Sequence, residues 1–290
     1  MSIDAKRRFA AAAFVALLIL SVFWPSPAVS INRLCCNAPI GVDELSFLGR
    51  ESAPWDVAFW CLAGLFAVAL IDPTADYREP LRVARGMRLS ARISDGIALV
   101  AAAAVVAIVW FAADAPVTAW AERVQSDGVE DLIRITNRLG GGMNPALVVG
   151  FFLLAGVAYR HRRWIEYAVA MAVAGLGAGL LGQLIKLIVG RTRPELWLGP
   201  FHHARIAASS FPSGHTVGAF ALAGVLLFAS PSRTMRVAAV LLAAAVGLSR
   251  ILAFRHWLSD VTASAAAGLI VAWMVTRGVS QLTKQPPSAA

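Results

Sequence analysis

SDGIALVAAAAVVAIVWFAA, residues Ser94–Ala113, carries no charge from Gly96 onward. A helix rises ~1.5 Å per residue and a bilayer's hydrocarbon core is ~30 Å thick, so a run of this length is read as a membrane-spanning helix. Runs of comparable character recur on both sides. The spans expected are Phe9–Phe23, Pro54–Ile71, Ser94–Ala113, Met143–Tyr159, Ile165–Val189, Gly214–Ala229, Val237–Phe254 and Leu258–Thr276. The shorter ones need local bilayer thinning. Gly, Ala and Ser are frequent in the later spans, as close helix packing in lipid requires.

Composition agrees. The chain of 290 residues is 58% hydrophobic with mean hydropathy +0.68, against ~45–50% apolar for soluble domains. The expected fold class is therefore all-α, a polytopic transmembrane helix bundle of about eight spans. The net charge of +9 falls between apolar runs rather than in one patch, which argues for a membrane and against nucleic acid. With the N-terminus inside, the inside loops hold Arg78, Arg82, Arg85, Arg88 and Arg92, then Arg160, Arg162 and Arg163, then Arg233 and Arg236, then Arg277 and Lys284. The outside loops 30–53 and 114–142 are mixed in sign, with Asp43, Glu44, Glu51, Asp127, Glu130 and Asp131. This is a positive-inside distribution. It places segments 190–213 and 255–257 outside. Ala28-Val29-Ser30 resembles a signal-peptidase site, and cleavage there leaves the later topology unchanged.

Several local features leave alternatives open. The arginines of 78–92 recur at spacings of four, three, three and four. They mark one face of a helix lying on anionic lipid, or a solvated loop. Segment 118–139 is an amphipathic cap on the outer face or a connector. Cys35, Cys36 and Cys61 have neither metal-ligand nor disulfide-framework spacing.

Three polar clusters emerge on the outer face. The first runs from Lys186, the only lysine in the interior of the chain, to Arg193-Pro194. A charge at a membrane edge is a functional candidate by default. If the helix continues, Lys186 and Arg193 share a face and suit a phosphate, Arg as a bidentate fork and Lys as a movable charge. Snorkelling basic side chains are the plain alternative. The second is Phe211-Pro-Ser-Gly-His215 before an apolar helix. Ser213 is an N-cap candidate, Gly214 admits close approach to the backbone, and the first-turn N–H groups favour an anion beside His215. The third is Ser249-Arg250 followed by His256 and Asp260. On a helix, the i and i+4 spacing lets the carboxylate take one imidazole nitrogen and leave the other as a nucleophile or base.

At these residues the chain resembles the type 2 phosphatidic acid phosphatase superfamily, which includes vanadium haloperoxidases. The family signature, K-x6-R-P, P-S-G-H and S-R-x5-H-x3-D, is present in order over 186–260. The resemblance implies a six-span phosphatase core over about 94–276; the two-span extension at 1–93 and the tail at 277–290 lie outside that core and are not explained by it. It implies that His256 attacks phosphorus to form a phosphohistidine, that Asp260 orients it, and that His215 protonates the leaving alkoxide. Lys186, Arg193, Ser213, Gly214 and Arg250 would bind phosphate, with no metal and no cofactor.

The expected substrate is a phosphorylated membrane lipid: undecaprenyl diphosphate, phosphatidylglycerophosphate, phosphatidate or a lipid A phosphate. The expected place is the periplasmic face of a bacterial inner membrane. Arg191, Arg205, Arg255 and Glu195 are candidates for headgroup selectivity, and His202 and His203 read as exposed loop residues. A phosphotransferase using the same site is the alternative. An anion transporter fits less well, because the charges gather at one face. The oligomeric state is open.

Overall fold

The computed structural model describes residues 76–87, 92–140, 144–196, 198–203 and 209–280, with the single residue Gly64. The spans expected at Phe9–Phe23 and Pro54–Ile71, the three cysteines, Arg88 and Arg205 lie outside these. The described residues form nine α-helices: α1 Glu79–Gly86, α2 Ile93–Ala112, α3 Asp114–Arg123, α4 Asp127–Gly140, α5 Asn144–Ala158, α6 Arg162–Val189, α7 Gly214–Ala229, α8 Arg233–Leu252 and α9 Leu258–Ser280. A 3₁₀ turn at Pro194–Leu196 follows α6. Among the described residues extended pairing is limited to one bridge, Arg191 with His203.

Among the described residues, four helices are long and apolar enough to cross a membrane: α2, α6, α8 and α9. The segments Pro145–Ala158 and Gly214–Ala229 are shorter apolar helices. At 16 residues, α7 is only ~24 Å long. The bilayer must thin around it, or its ends must be covered by protein. Large apolar side chains of α2 point outward, Ile97 67% and Phe111 77% exposed. In water this would be an aggregation surface; in lipid it is the solvated face.

The chain divides into two compact units, Met1–Met87 with Gly141–Val169, and Arg88–Gly140 with Ala170–Ala290. In the first, α5 turns into α6 at Arg160, whose φ is 51°. Gly156 is needed there, because a Cβ would lie 2.7 Å from Ile165 Cγ1. Phe151, Phe152, Trp164 and Tyr167 pack edge-on or tilted around this hairpin. Arg162 bonds Glu166 at 3.0 Å and Glu79 at 3.3 Å. Of the arginine stripe read at 78–92, Arg82 and Arg85 lie on α1, with Arg78 just before it; α1 ends at Gly86 and Met87 is extended. Arg92 instead caps α2, its N–H donating to Asp95 Oδ2.

The second unit is built on α7, which packs against α9 and α8. Ser213 caps its N-terminus, the hydroxyl accepting from the Thr216 N–H. The helix stops at Ser230, before Pro231. Small residues bring the backbones together. A Cβ on Gly268 of α9 would lie 2.7 Å from the Val217 carbonyl and 2.8 Å from Ala221 N, both on α7. A Cβ on Gly224 would lie 2.6 Å from Ala272 Cβ. With little hydrophobic driving force in lipid, such close packing carries the association.

Segment 118–139 is helical except at 124–126, comprising the end of α3 and most of α4, and is not a bare connector. Val117, Val124, Val129 and Ile133 pack on the buried cluster of Ala121, Ile251 and Leu252, covering the end of α8. Gln125 Nε2 donates to the Ala121 and Leu252 carbonyls at 2.8 and 3.0 Å. Those bonds satisfy a helix-end acceptor that would otherwise be orphaned. At the opposite end Arg277 of α9 reaches Asp95 of α2 at 2.5 Å.

Candidate active site

The segments 186–193, 209–215 and 249–260 meet at one end of the second unit. Helix α6 does not continue to Arg193 as the spacing suggested. It ends at Val189, and Gly190 turns the chain out with φ 53°, a conformation glycine adopts at little cost. Lys186 therefore sits in the last turn of α6 and Arg193 beyond it in a loop. The two are still within electrostatic reach of each other, and Lys186 also senses Asp260.

Hydrogen bonds stitch that loop to its neighbours. Ser210 N–H donates to the Arg191 carbonyl at 2.7 Å. The Ser210 hydroxyl and Trp257 Nε1 both donate to the Thr192 carbonyl, at 3.0 and 2.8 Å. The Glu195 N–H donates to the Phe254 carbonyl at 3.0 Å. Phe254 has φ 53°, a left-handed conformation that is costly for a bulky side chain. The tight turn lets the Arg255 and His256 N–H groups both donate to the Arg250 carbonyl, at 3.1 and 3.2 Å.

His256 is buried and lies just before α9, not within it. Its Nδ1 stands 2.6 Å from the Ser210 carbonyl. A carbonyl can only accept, so Nδ1 carries the proton and Nε2 keeps a lone pair. Asp260 is therefore not the direct partner that the i and i+4 spacing suggested. Its Oδ2 is 3.8 Å from Nδ1 and instead accepts from the Trp257 N–H at 2.9 Å. The offset arises because residues 253–257 form a turn, so the helical register starts only at Leu258. Burial, with Arg250 acting in the same sense, pushes the His256 pKa below its usual 6.5 against the opposing pull of Asp260 and Ser210. The neutral imidazole is the resting form.

His215 is the second residue of α7 and half-buried. Arg250, His256 and Lys186 all lie within its electrostatic reach. Ser213 is fully buried, its N–H donating to Ser264 Oγ at 2.8 Å, and that hydroxyl in turn donates to the Asp260 carbonyl at 2.6 Å. The second and third clusters are thus linked through α9. Gly214 is exposed, and a Cβ there would meet nothing within 4 Å. Arg193 is half-buried, bonded to Glu195 at 3.4 Å, and its buried Nε has no hydrogen-bond partner among the described residues. Glu195 also pairs with Arg255 at 2.9 Å. Arg250 is buried near the end of α8. His202 and His203 are exposed.

Arg191 is where the sequence reading misleads. It is 2% exposed, enclosed by protein groups rather than presented at the surface. Its guanidinium lies 3.9 Å from the Trp110 ring centroid and 5.1 Å from that of Trp257. NH2 donates to Asp114 at 2.6 Å, NH1 to Asp260 at 2.6 Å and to Ser259 Oγ at 2.7 Å, and Nε to the Pro200 carbonyl at 2.9 Å. Asp114, the first residue of α3, also accepts from the Ser259 N–H at 2.8 Å and hydroxyl at 2.6 Å. Burial raises its pKa above the usual carboxylate range, and the Ser259 and Arg191 donors oppose that rise only in part. The sequence reading missed Asp114, Ser210, Ser259 and Ser264. Of these only Asp114 left a signal, a carboxylate ending an uncharged span.

Among the described residues no group of His, Cys, Asp and Glu has the arrangement of a metal site.

Residues 163–284 match the sequence model of the PAP2 superfamily. The chain is 38% identical over 121 residues to the lipid A 1-phosphatase of Porphyromonas gingivalis, covering 40% of this chain and 24% of that one. It is 42% identical over 101 residues to the lipid A 1-phosphatase of Rhizobium etli, covering 31% of this chain and 41% of that one. The chain thus spans less than half the length of these relatives. The crystal structure of a transmembrane PAP2-type phosphatidylglycerolphosphate phosphatase from Bacillus subtilis superposes with TM-score 0.52, over 73% of this chain and all of that one, at 20% identity. That likeness establishes a shared multi-pass membrane fold.

Proposed function

We propose that this chain is an integral membrane phosphatase that hydrolyses a lipid phosphate through a phosphohistidine. The observation that carries it is the His256 tautomer: Nδ1–H is tied to the Ser210 carbonyl at 2.6 Å, and Nε2 is left nucleophilic. In the reaction, Nε2 attacks phosphorus and forms the N–P bond as the P–O bond to the lipid breaks. His215 gives its proton to the departing alkoxide. Water then attacks phosphorus, His215 recovers a proton from it, and the N–P bond breaks to release inorganic phosphate. Lys186, Arg193, Arg250 and the N–H groups at the start of α7 offset the charge on the phosphoryl oxygens, as preorganised donors do in phosphoryl transfer. Ser213 acts mainly by capping α7 and Asp260 by fixing the His256 turn.

The names of the relatives make the 1-phosphate of lipid A the first substrate to test, ahead of undecaprenyl diphosphate, phosphatidylglycerophosphate and phosphatidate. The positive-inside pattern supports a site on the periplasmic side of a bacterial inner membrane, within a six-span core over 94–276. Spans 1–93 and the tail 277–290 flank that core.

The test is phosphate release from these lipids in detergent, with EDTA, by wild type, His256→Ala and Arg250→Ala. Release by wild type and by neither variant is expected. A folded wild type that releases none from any lipid refutes hydrolysis. Transfer of the phosphoryl group to a second lipid in the same assay would identify a phosphotransferase.

A further inference from the structure

Two of the three most buried charges near the site belong to no signature position. Arg191 and Asp114 are 2% and 1% exposed, and Asp260 is 0%. A guanidinium forked between two carboxylates at 2.6 Å each, with tryptophans against its faces, is a built arrangement rather than a snorkelling side chain. It is also costly, because three charges have been taken out of water. Both oxygens of Asp114 accept from donors, namely Arg191, the Ser259 hydroxyl and the Ser259 N–H. Those three donors favour the ionised carboxylate against the burial that raises its pKa.

The charge count gives the array its consequence. Two carboxylates share one guanidinium, so the array carries one net negative charge. Were Asp114 absent, Arg191 would neutralise Asp260 alone. Asp260 Oδ2, which stands 3.8 Å from His256 Nδ1, would lose most of its negative potential. When Nε2 acquires phosphorus, the imidazole keeps its Nδ1 proton and becomes cationic. A residual negative charge behind it stabilises that cation in a low-dielectric site.

We propose that Asp114 and Arg191 are positioning residues for the His256 nucleophile: with Asp260 they form a buried three-charge array that fixes the 256–260 turn and leaves one negative charge behind the imidazole. Asp114 lies outside the matched domain, on α3, so the reaction centre extends beyond residues 163–284. Ser259 completes the array, its hydroxyl accepting from Arg191 and donating to Asp114. The ionisable groups facing His256 from the other elements are Arg250 of α8 and His215 of α7. Neither is changed in the variants below.

This inference rests on the histidine-phosphatase reading above, so wild type and His256→Ala run alongside to test that reading separately. Asp114→Asn keeps size and most hydrogen bonds but removes the extra charge. Its kcat falls roughly 10- to 100-fold with KM within about twofold, as expected when a reacting group is displaced by a fraction of an ångström to 1 Å. The acid limb of its pH–rate profile moves to lower pH, because the negative charge that favours protonated His256 is gone. Arg191→Lys keeps the array's net charge but cannot fork to both carboxylates. Its kcat falls while its acid limb stays where wild type has it. Melting in detergent corrects each rate for folded protein. Per folded molecule, wild-type kcat and an unmoved acid limb in Asp114→Asn overturn the proposal and leave the array a structural element. Loss of phosphate release by wild type itself would overturn the underlying reading instead.

Discussion

Ser264→Ala isolates the bond that links the second and third clusters. The Ser264 hydroxyl accepts from the Ser213 N–H at 2.8 Å and donates to the Asp260 carbonyl at 2.6 Å, and all three residues are fully buried. The Asp260 carbonyl keeps its place in the α9 hydrogen-bond ladder, so its loss is small. The Ser213 N–H is different. It precedes α7, has no helical acceptor, and sits where no water reaches it. An orphaned buried N–H costs ~1–3 kcal/mol, whereas side-chain hydrogen bonds between helices in bilayers average only ~0.6 kcal/mol. The larger figure applies, because the unsatisfied group is backbone and cannot rotate toward another acceptor. Thr276→Val is the internal control. Its hydroxyl bonds only to carbonyls of its own helix, Ala272 and Trp273, and its loss should cost well under ~1 kcal/mol. Unfolding both variants in mixed detergent micelles gives the comparison. Ser264→Ala should lose ~2 kcal/mol and show a lower kcat, since the α7 N-terminus and the Asp260 turn are no longer tied. A Ser264→Ala protein within ~0.5 kcal/mol of wild type, and no less stable than Thr276→Val, would refute the argument.

Three further outcomes follow from the same geometry. Gly268→Ala forces a Cβ to 2.7 Å from the Val217 carbonyl, and overpacking of this kind costs ~1–3 kcal/mol; a melting scan in detergent that shows no loss would mean α9 can slide away from α7. Gly214→Val adds a side chain into open space, so stability should hold while kcat/KM falls ~10-fold or more if phosphate docks on that helix start; unchanged kcat/KM would place the anion elsewhere. The depressed His256 pKa puts the acid limb of kcat/KM below pH 6.5, because the nucleophile needs its lone pair. The same shift means the unfolded chain takes up that proton first, so its contribution to stability is present above about pH 6.5 and is lost as pH falls through the folded value. An acid limb above 6.5 would contradict the burial.

The span-forming character of residues 94–113 needs no neighbour to be recognised, because hydropathy over 18 or more residues depends on the chain alone. The same holds for Ser213 as a cap, which is a local matter of one hydroxyl and the N–H three residues on. The spacing of Lys186, Arg193, His215, Arg250, His256 and Asp260 was likewise visible before any fold was known. Tertiary structure decided what those residues touch. Helical periodicity put His256 beside Asp260, but a left-handed Phe254 breaks the helix there, and the imidazole turns to the Ser210 carbonyl instead. Arg191 reads in the sequence as one more outer-face arginine. It becomes the best-buried cation described only because Trp110 and Asp114 of one segment and Trp257 and Asp260 of another close around it. Local pattern records a residue's propensity and its face. Whether a charge is solvated or paired depends on groups up to 182 positions away in the chain, and only the packed helices bring those together.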